Sequence, residues 1–323
     1  MKALITGVSG FVGTYLSQKL LENGYDVVGI ARSKRVDDKN INFISCDITD
    51  ELKLQQILKS ERPDEIYHLA GSAFVPLTYK EPQQTYNTIA NGTLTLYEAI
   101  RRVDLYSSKV LYVGSAAVYG EGTGIPFTEL DSLEPNNPYA GAKACADLIS
   151  DQYVKSYKMK IVRVRPFNHT GPGQSPAFVC SNFAKQIAQL EHEGNNVIHV
   201  GNINVKRDFL DVRDVVDAYY MLMQHGLSGE VYNVSSQKAV SVSELLNLLS
   251  LHSKIESLDI KVDNDKIRPN ETLVKIGDNR KIRLEIGWEP LRDIKQTMIE
   301  LLEYWRSHIH VLSNEGVNQY WTK

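Results

Sequence analysis

Short apolar runs alternate with longer stretches of helical periodicity through the first 165 residues. The strand-like runs are Lys2–Ile5, Val27–Ala31, Phe43–Ser45, Glu65–Leu69, Val110–Val113 and Ile161–Val164. Helical stretches between them include Phe11–Asn23, Glu51–Ser60, Gln84–Val103 and Tyr139–Tyr157. Strand and helix in alternation require right-handed crossovers, and so predict an α/β fold with a doubly wound parallel sheet.

After Phe167 the pattern loosens. A Gly-, Pro- and Asn-rich loop, NHTGPGQSP, leads to a helix near Phe178–His192 and a strand at Val197–Val200. A helix starting near Asp211, a strand at Glu230–Val234, and helices at Ser243–Leu251 and near Asp293–Ser307 follow. This reads as a smaller α/β portion, residues 168–310, laid against the end of a sheet built from residues 1–167 with returning segments of the C-terminal half. A cleft is expected between them. Residues 311–323 are read as a flexible tail, since Ser313–Lys323 is polar and aperiodic.

At 323 residues the chain is long enough for one large or two unequal domains, and 42% hydrophobic content allows a real core. A net charge of −3 suggests neither a nucleic-acid nor a membrane partner. Any grip on a phosphorylated ligand must therefore come from locally placed bases. Cys46, Cys145 and Cys180 lie far apart and form no metal-spaced pair, so no metal is expected. The opening MKALITGVSG runs straight into a strand, and no apolar run approaches the ~18 residues of a membrane span. With few cysteines, this places the protein in the cytoplasm.

Residues 6–13 read TGVSGFVG, setting Gly7, Gly10 and Gly13 between the first strand and a helix opened by Phe11 and Val12. A dinucleotide needs this arrangement: a tight turn, close backbone approach to the pyrophosphate, and a helix N-terminus aimed at its charge. The sheet is thus read as a Rossmann dinucleotide-binding layer. The end of the second strand chooses the cofactor. An acidic residue there would bind a ribose 2′-hydroxyl, but the chain has IARSKR, with Arg32, Lys34 and Arg35. Arginine grips a 2′-phosphate that a carboxylate would repel, so NADP(H) is favoured. Asp47 and Ile48 are placed to flank the adenine, and Leu69, Ala70 and Gly71 to line the cofactor's other half.

The stretch YAGAK sets Tyr139 and Lys143 four apart, on one face of a helix. An ammonium near a phenol lowers the tyrosine pKa, so the pair suits proton transfer. The pair comes 24 residues after Ser115, which ends the strand of VLYVGSAAVYG. Catalytic groups collect at such strand ends.

Together TGxxGxxG, Leu69-Ala70-Gly71, GSAAVYG and YxxxK resemble the extended short-chain dehydrogenase/reductase family, from residue 1 to about 308. The resemblance implies that Ser115 hydrogen-bonds the substrate oxygen, Tyr139 exchanges its proton, and Lys143 supports both Tyr139 and the cofactor. It also implies a homodimer built on helices flanking the sheet. RPFNHTGPGQ, GNINVKRDFLDVRDVV and IRPNETLVKIGDNRKIRLEIGWEP look like the branch of GDP-mannose 4,6-dehydratases and GDP-4-keto-6-deoxymannose reductases. That likeness implies a GDP-linked sugar, with Arg207 on the diphosphate, Arg268 and Glu271 on the ribose and guanine, and Asn168 beside the sugar or diphosphate.

One position separates the reactions. Dehydratases of this branch carry a Glu two residues after the serine, and GDP-fucose-forming epimerase-reductases carry a Cys; this chain has Ala117. Abstraction of a carbon-bound proton then has no evident agent, and reduction of a C4 ketone remains. The expected product is GDP-D-rhamnose, or GDP-6-deoxy-D-talose if the other face is presented. A 4-epimerase, a 4,6-dehydratase and a non-enzymatic cofactor-binding protein stay open as alternatives.

Overall fold

The computed structural model describes residues 1–33, 39–263, 265 and 273–314. The first half runs β1 (Lys2–Thr6), α1 (Phe11–Glu22), β2 (Asp26–Ala31), β3 (Ile41–Ser45), α2 (Glu51–Glu61), β4 (Glu65–His68), α3 (Val75–Lys80), α4 (Pro82–Tyr86), α5 (Gly92–Arg102), β5 (Lys109–Val113), α6 (Pro138–Tyr157) and β6 (Lys160–Pro166). The second half runs β7 (Asn168–Thr170), α7 (Val179–Glu193), β8 (Val197–Val200), β9 (Lys206–Asp211), α8 (Val212–His225), β10 (Val231–Val234), β11 (Ala239–Ser241), α9 (Val242–Leu251), β12 (Asp259–Val262), β13 (Val274–Lys275), α10 (Arg280–Ile286) and α11 (Ile294–Asn314).

Seven strands form one parallel sheet in the order β10-β6-β5-β4-β1-β2-β3. Alternate strand residues feed the two faces, as a twofold side-chain repeat requires. Ala3, Ile5, Val27, Tyr67 and Leu111 pack with Leu16 and Leu20 of α1 and with Val215, Tyr219 and Leu222 of α8. Leu4, Val28, Ile66, Val110 and Tyr112 pack on the opposite side with α2, α5 and α6. The strand order reverses between β1 and β4, and at such a point the strand ends open a crevice for ligands. A third core, from Phe183 and Ile187 of α7, Leu245 and Leu249 of α9, and Leu301 and Trp305 of α11, lies under the short strands of the second half. The chain still returns from there: β10 completes the large sheet, and Ile282, Ile286 and Trp288 join the first core rather than the C-terminal portion.

Two expected elements differ. The stretch Gln84–Val103 is not one helix but α4 and α5 joined by a π-helical turn at Asn87–Asn91. A π-turn is rare and keeps the chain helical, so residue pattern alone does not set it apart from α-helix. The last helix continues past Ser307 to Asn314 and takes in the start of the expected tail; residues 315–323 lie outside the described residues. The strands β7, β11 and β13, of two or three residues each, carried too few residues for a periodic signal.

Candidate active site

Residues named from sequence follow the C-terminal ends of β1, β2, β3, β4, β5 and β6, so one rim of the sheet gathers them. At the first strand end Gly7 takes φ +73° and donates to the Ile30 carbonyl at 2.8 Å. Gly10 donates back to the Gly7 carbonyl at 3.0 Å. A Cβ on Gly13 would lie 2.5 Å from the Gly7 oxygen and 2.7 Å from that of Val8, so only glycine lets α1 sit this close. Gly10 caps α1 without a side-chain bond, which leaves the first-turn amides at Phe11, Val12 and Gly13 aimed outward with the helix dipole. This cradle fits a pyrophosphate.

The Arg32 side chain is exposed beyond β2, and its charge helps hold Asp47 below the usual carboxylate range, after the larger effect of the Thr49 amide bond. Ile48 turns inward and is buried against Gly92. Lys34 and Arg35 lie outside the described residues.

Leu69, Ala70 and Gly71 are fixed by a buried chain of hydrogen bonds that sequence reading missed. The amides of Leu69 and Ala70 donate to Thr6 Oγ1 at 3.1 and 3.0 Å, and Thr6 Oγ1 meets His68 Nδ1 at 2.8 Å. On the ring's other side Nε2 lies 3.0 Å from Thr93 Oγ1, which itself donates to the Ile89 carbonyl at 2.6 Å. Thr93 therefore accepts from Nε2–H, and Nδ1 accepts from Thr6. His68 must be neutral for this, and burial, with Lys143 nearby, pushes its pKa down to about 3. Gly71, at φ +149°, ends the segment beside Ile89.

Ser115 opens a 3₁₀ turn, and its Oγ accepts from the Ala117 amide at 3.1 Å. Its hydroxyl neighbours the Tyr139 phenol closely enough to favour the phenolate. Helix α6 begins one residue before Tyr139 because Pro138 suits a first helical position and Asn137 caps it, accepting from the Ala140 amide at 3.0 Å. Lys143 is buried, and its ammonium donates to the Val113 carbonyl at 2.6 Å. The expected lowering of the Tyr139 pKa by Lys143 is not what the geometry produces. Burial pushes the phenol above its ordinary value, opposed by the neighbouring Ser115 hydroxyl. Burial also pushes Lys143 down to about 8, opposed by Asp147.

In the second half β7 pairs with β9, which sets Asn168 opposite Phe209, two residues from Arg207. Asn168 is exposed. Arg207 is half-buried and donates to the Lys206 carbonyl at 2.8 Å, while Asp208 faces away to accept from Ser236, Gln237 and Gly277. His169 stacks on Phe11 at 6.5 Å, tying this strand to the glycine turn. Arg268 and Glu271 lie outside the described residues. Among the described residues no cluster of His, Cys, Asp or Glu suits a metal ion.

A reversing parallel sheet, a glycine turn over a helix start, and Ser, Tyr and Lys on an adjoining strand end and helix define an extended short-chain dehydrogenase/reductase. Within that class the chain belongs to the GDP-mannose 4,6 dehydratase family, whose model matches residues 4–301. It is 34% identical to a GDP-6-deoxy-D-mannose reductase of Pseudomonas aeruginosa, over 95% of this chain and 98% of that one. It is 30% identical to a GDP-mannose 4,6-dehydratase of Vibrio cholerae, over 98% of this chain and 97% of the relative. The solved structure of RMD from Pseudomonas aeruginosa complexed with NADPH superposes with a TM-score of 0.83 at 33% identity, covering 95% of this chain and 99% of that one.

Proposed function

We propose that this protein reduces the C4 ketone of GDP-4-keto-6-deoxy-D-mannose to GDP-D-rhamnose with NADPH. The observation that carries the reading is Ser115 at the end of β5 beside Tyr139 and Lys143 of α6, with alanine, neither acid nor base, at position 117. NADPH supplies the hydride when bound. Tyr139 gives its proton to the carbonyl oxygen, Ser115 holds that oxygen, and Lys143 offsets the charge left on the phenol. Water loss, or epimerisation at C3 or C5, would need another group to lift a carbon-bound proton, and Ala117 has none.

Gly7, Gly10, Phe11, Val12 and Gly13 would hold the cofactor's pyrophosphate, Arg32 its 2′-phosphate, and Asp47 and Ile48 its adenine. Leu69, Ala70 and Gly71 would hold its other half, and Tyr139 and Lys143 the nicotinamide ribose. Arg207 takes the substrate diphosphate, Arg268 and Glu271 the ribose and guanine, and Asn168 the sugar side. Residues 1–167 with their returning segments thus serve the cofactor, and residues 168–310 the sugar nucleotide. The same reading makes the protein a cytoplasmic homodimer through the helices flanking the sheet; exposed Leu148 and Tyr157 on α6 support this face, and gel filtration tests it. No helix of the described residues is long and apolar enough to cross a membrane.

The deciding experiment mixes the protein, NADPH and the 4-keto sugar nucleotide and follows nicotinamide absorbance. Steady NADPH oxidation with a rhamno product supports the reading, and a talo product moves only the face of attack. Turnover of GDP-mannose without NADPH oxidation would replace it with a dehydratase.

A further inference from the structure

One helical turn beyond Lys143, α6 carries a carboxylate sealed from solvent. Asp147 is fully buried and accepts from Arg163 Nη1 at 3.0 Å and from Arg165 Nε and Nη2 at 2.9 and 3.1 Å. Arg165 also donates to Tyr119 Oη at 3.0 Å and to the Glu129 carbonyl at 3.3 Å. Arg163 reaches on to Asp151 at 2.9 Å and to the Gly229 carbonyl at 3.0 Å. Tyr139, Lys143, Asp147 and Asp151 follow at intervals of four, so they lie along one face of α6.

Such a cluster is weak evidence for stability, because removing several charges from water offsets much of their attraction. Its placement says more. Strand β6 and the helix carrying Tyr139 and Lys143 meet at this carboxylate, and Arg165 links it on to Tyr119 in the turn that starts at Ser115.

We propose that Asp147 is a positioning residue for Lys143: bound by Arg163 and Arg165, it fixes the turn of α6 that aims the ammonium and sets a buried carboxylate one turn along from it. The inference rests on the reading of Ser115, Tyr139 and Lys143 as the proton-transfer site.

The groups around Lys143 come from several elements. Tyr112 of β5 places its ring 5.6 Å from Nζ and donates to the Lys143 carbonyl at 3.1 Å. From β4 comes His68, neutral as argued above, and from α6 and the adjoining turn come Tyr139 and Ser115. Asp147 is the carboxylate whose charge opposes the effect of burial on Lys143. Behind it stand Arg163 and Arg165, and beyond Arg163 the Asp151 carboxylate.

Two single changes should act with opposite sign. In Asp147→Asn two guanidinium groups face the ammonium without their counter-charge, and the alkaline limb of the turnover pH profile moves down by about one unit. In Arg163→Met the carboxylates are in excess, and the limb moves up. Asp147→Glu keeps the charge and returns the limb toward its native position. A merely structural role would lower the melting temperature of both first variants and leave the limb in place.

The experiment measures pH profiles and melting curves of all three variants. Limbs that stay put, or that move the same way in Asp147→Asn and Arg163→Met, overturn the proposal. If Asp147→Asn does not fold, Arg163→Met decides by itself: an unmoved or lowered limb overturns it. If the native protein oxidises no NADPH, the reductase reading fails. The positioning role is then read by NMR titration of ¹³Cε-labelled lysine, with Lys143 assigned through Lys143→Arg.

Discussion

The Lys143 ammonium donates to the Val113 carbonyl at 2.6 Å, joining the helix that carries Tyr139 to the strand whose next turn carries Ser115. That bond fixes the helix against the strand end before any substrate arrives. It also keeps the ammonium buried rather than in solvent.

Removing the proton donor should separate binding from chemistry. Tyr139→Phe is expected to bind NADPH as the native protein does and to lose turnover by ~10²-fold or more. Fluorescence titration and initial rates check this, and a variant retaining most of its turnover would remove Tyr139 from its role.

Arg32→Ala should weaken NADPH far more than NADH. One charge-assisted bond to a phosphate contributes about 1.5–3 kcal/mol, so the NADPH dissociation constant should rise about tenfold or more. Equal weakening of both cofactors would make Arg32 a surface residue.

Gly13→Ala tests the glycine turn. The added methyl would meet two backbone oxygens within 2.7 Å, which no side-chain motion relieves. We expect a stability loss of about 1–3 kcal/mol and weaker binding of either nicotinamide cofactor. Unchanged calorimetric affinity would contradict the cradle.

The two buried bases around the site should act at opposite ends of the pH scale. Lys143 has a folded pKa near 8 against an ordinary value of 10.5, so below 8 its burial as an ammonium opposes folding. As pH rises through that window the opposition fades, because the unfolded chain then holds the extra proton. The stability advantage of Lys143→Met should therefore be on the order of 3 kcal/mol below pH 8 and shrink above it. Activity should fall over the same rise.

His68, with a folded pKa near 3, is neutral when folded; its share of stability is present above its ordinary 6.5 and lost as pH falls toward 3. Thr93→Val leaves its Nε2–H without an acceptor and should destabilise by about 1–3 kcal/mol. Denaturant melts across pH decide both expectations; flat differences would sink them.

Much of this was legible in the order of residues. The glycine turn, the basic end of β2 and the Tyr139–Lys143 spacing are local patterns whose chemistry needs only neighbours along the chain. The His68 chain was not legible, because Thr6 and Thr93 meet the ring only when β1, β4 and α5 are packed. Asp147 had one faint signal, its place four residues after Lys143. Its partners Arg163 and Arg165 come from a strand, and no spacing announces them. The π-helical turn was hidden for a different reason: it continues the helix, and only the backbone hydrogen-bond pattern tells it from α-helix.

The sequence by itself determined the parallel layer with its glycine turn and the residues proposed to move a proton, since those depend on periodicity and on residue types a few positions apart. Tertiary structure alone decided their electrical state. Burial raised the Tyr139 pKa and lowered that of Lys143, reversing the simple expectation for an exposed phenol beside an ammonium. Desolvation depends on what covers a group from every side, and that is a property of the packed chain rather than of any segment of it.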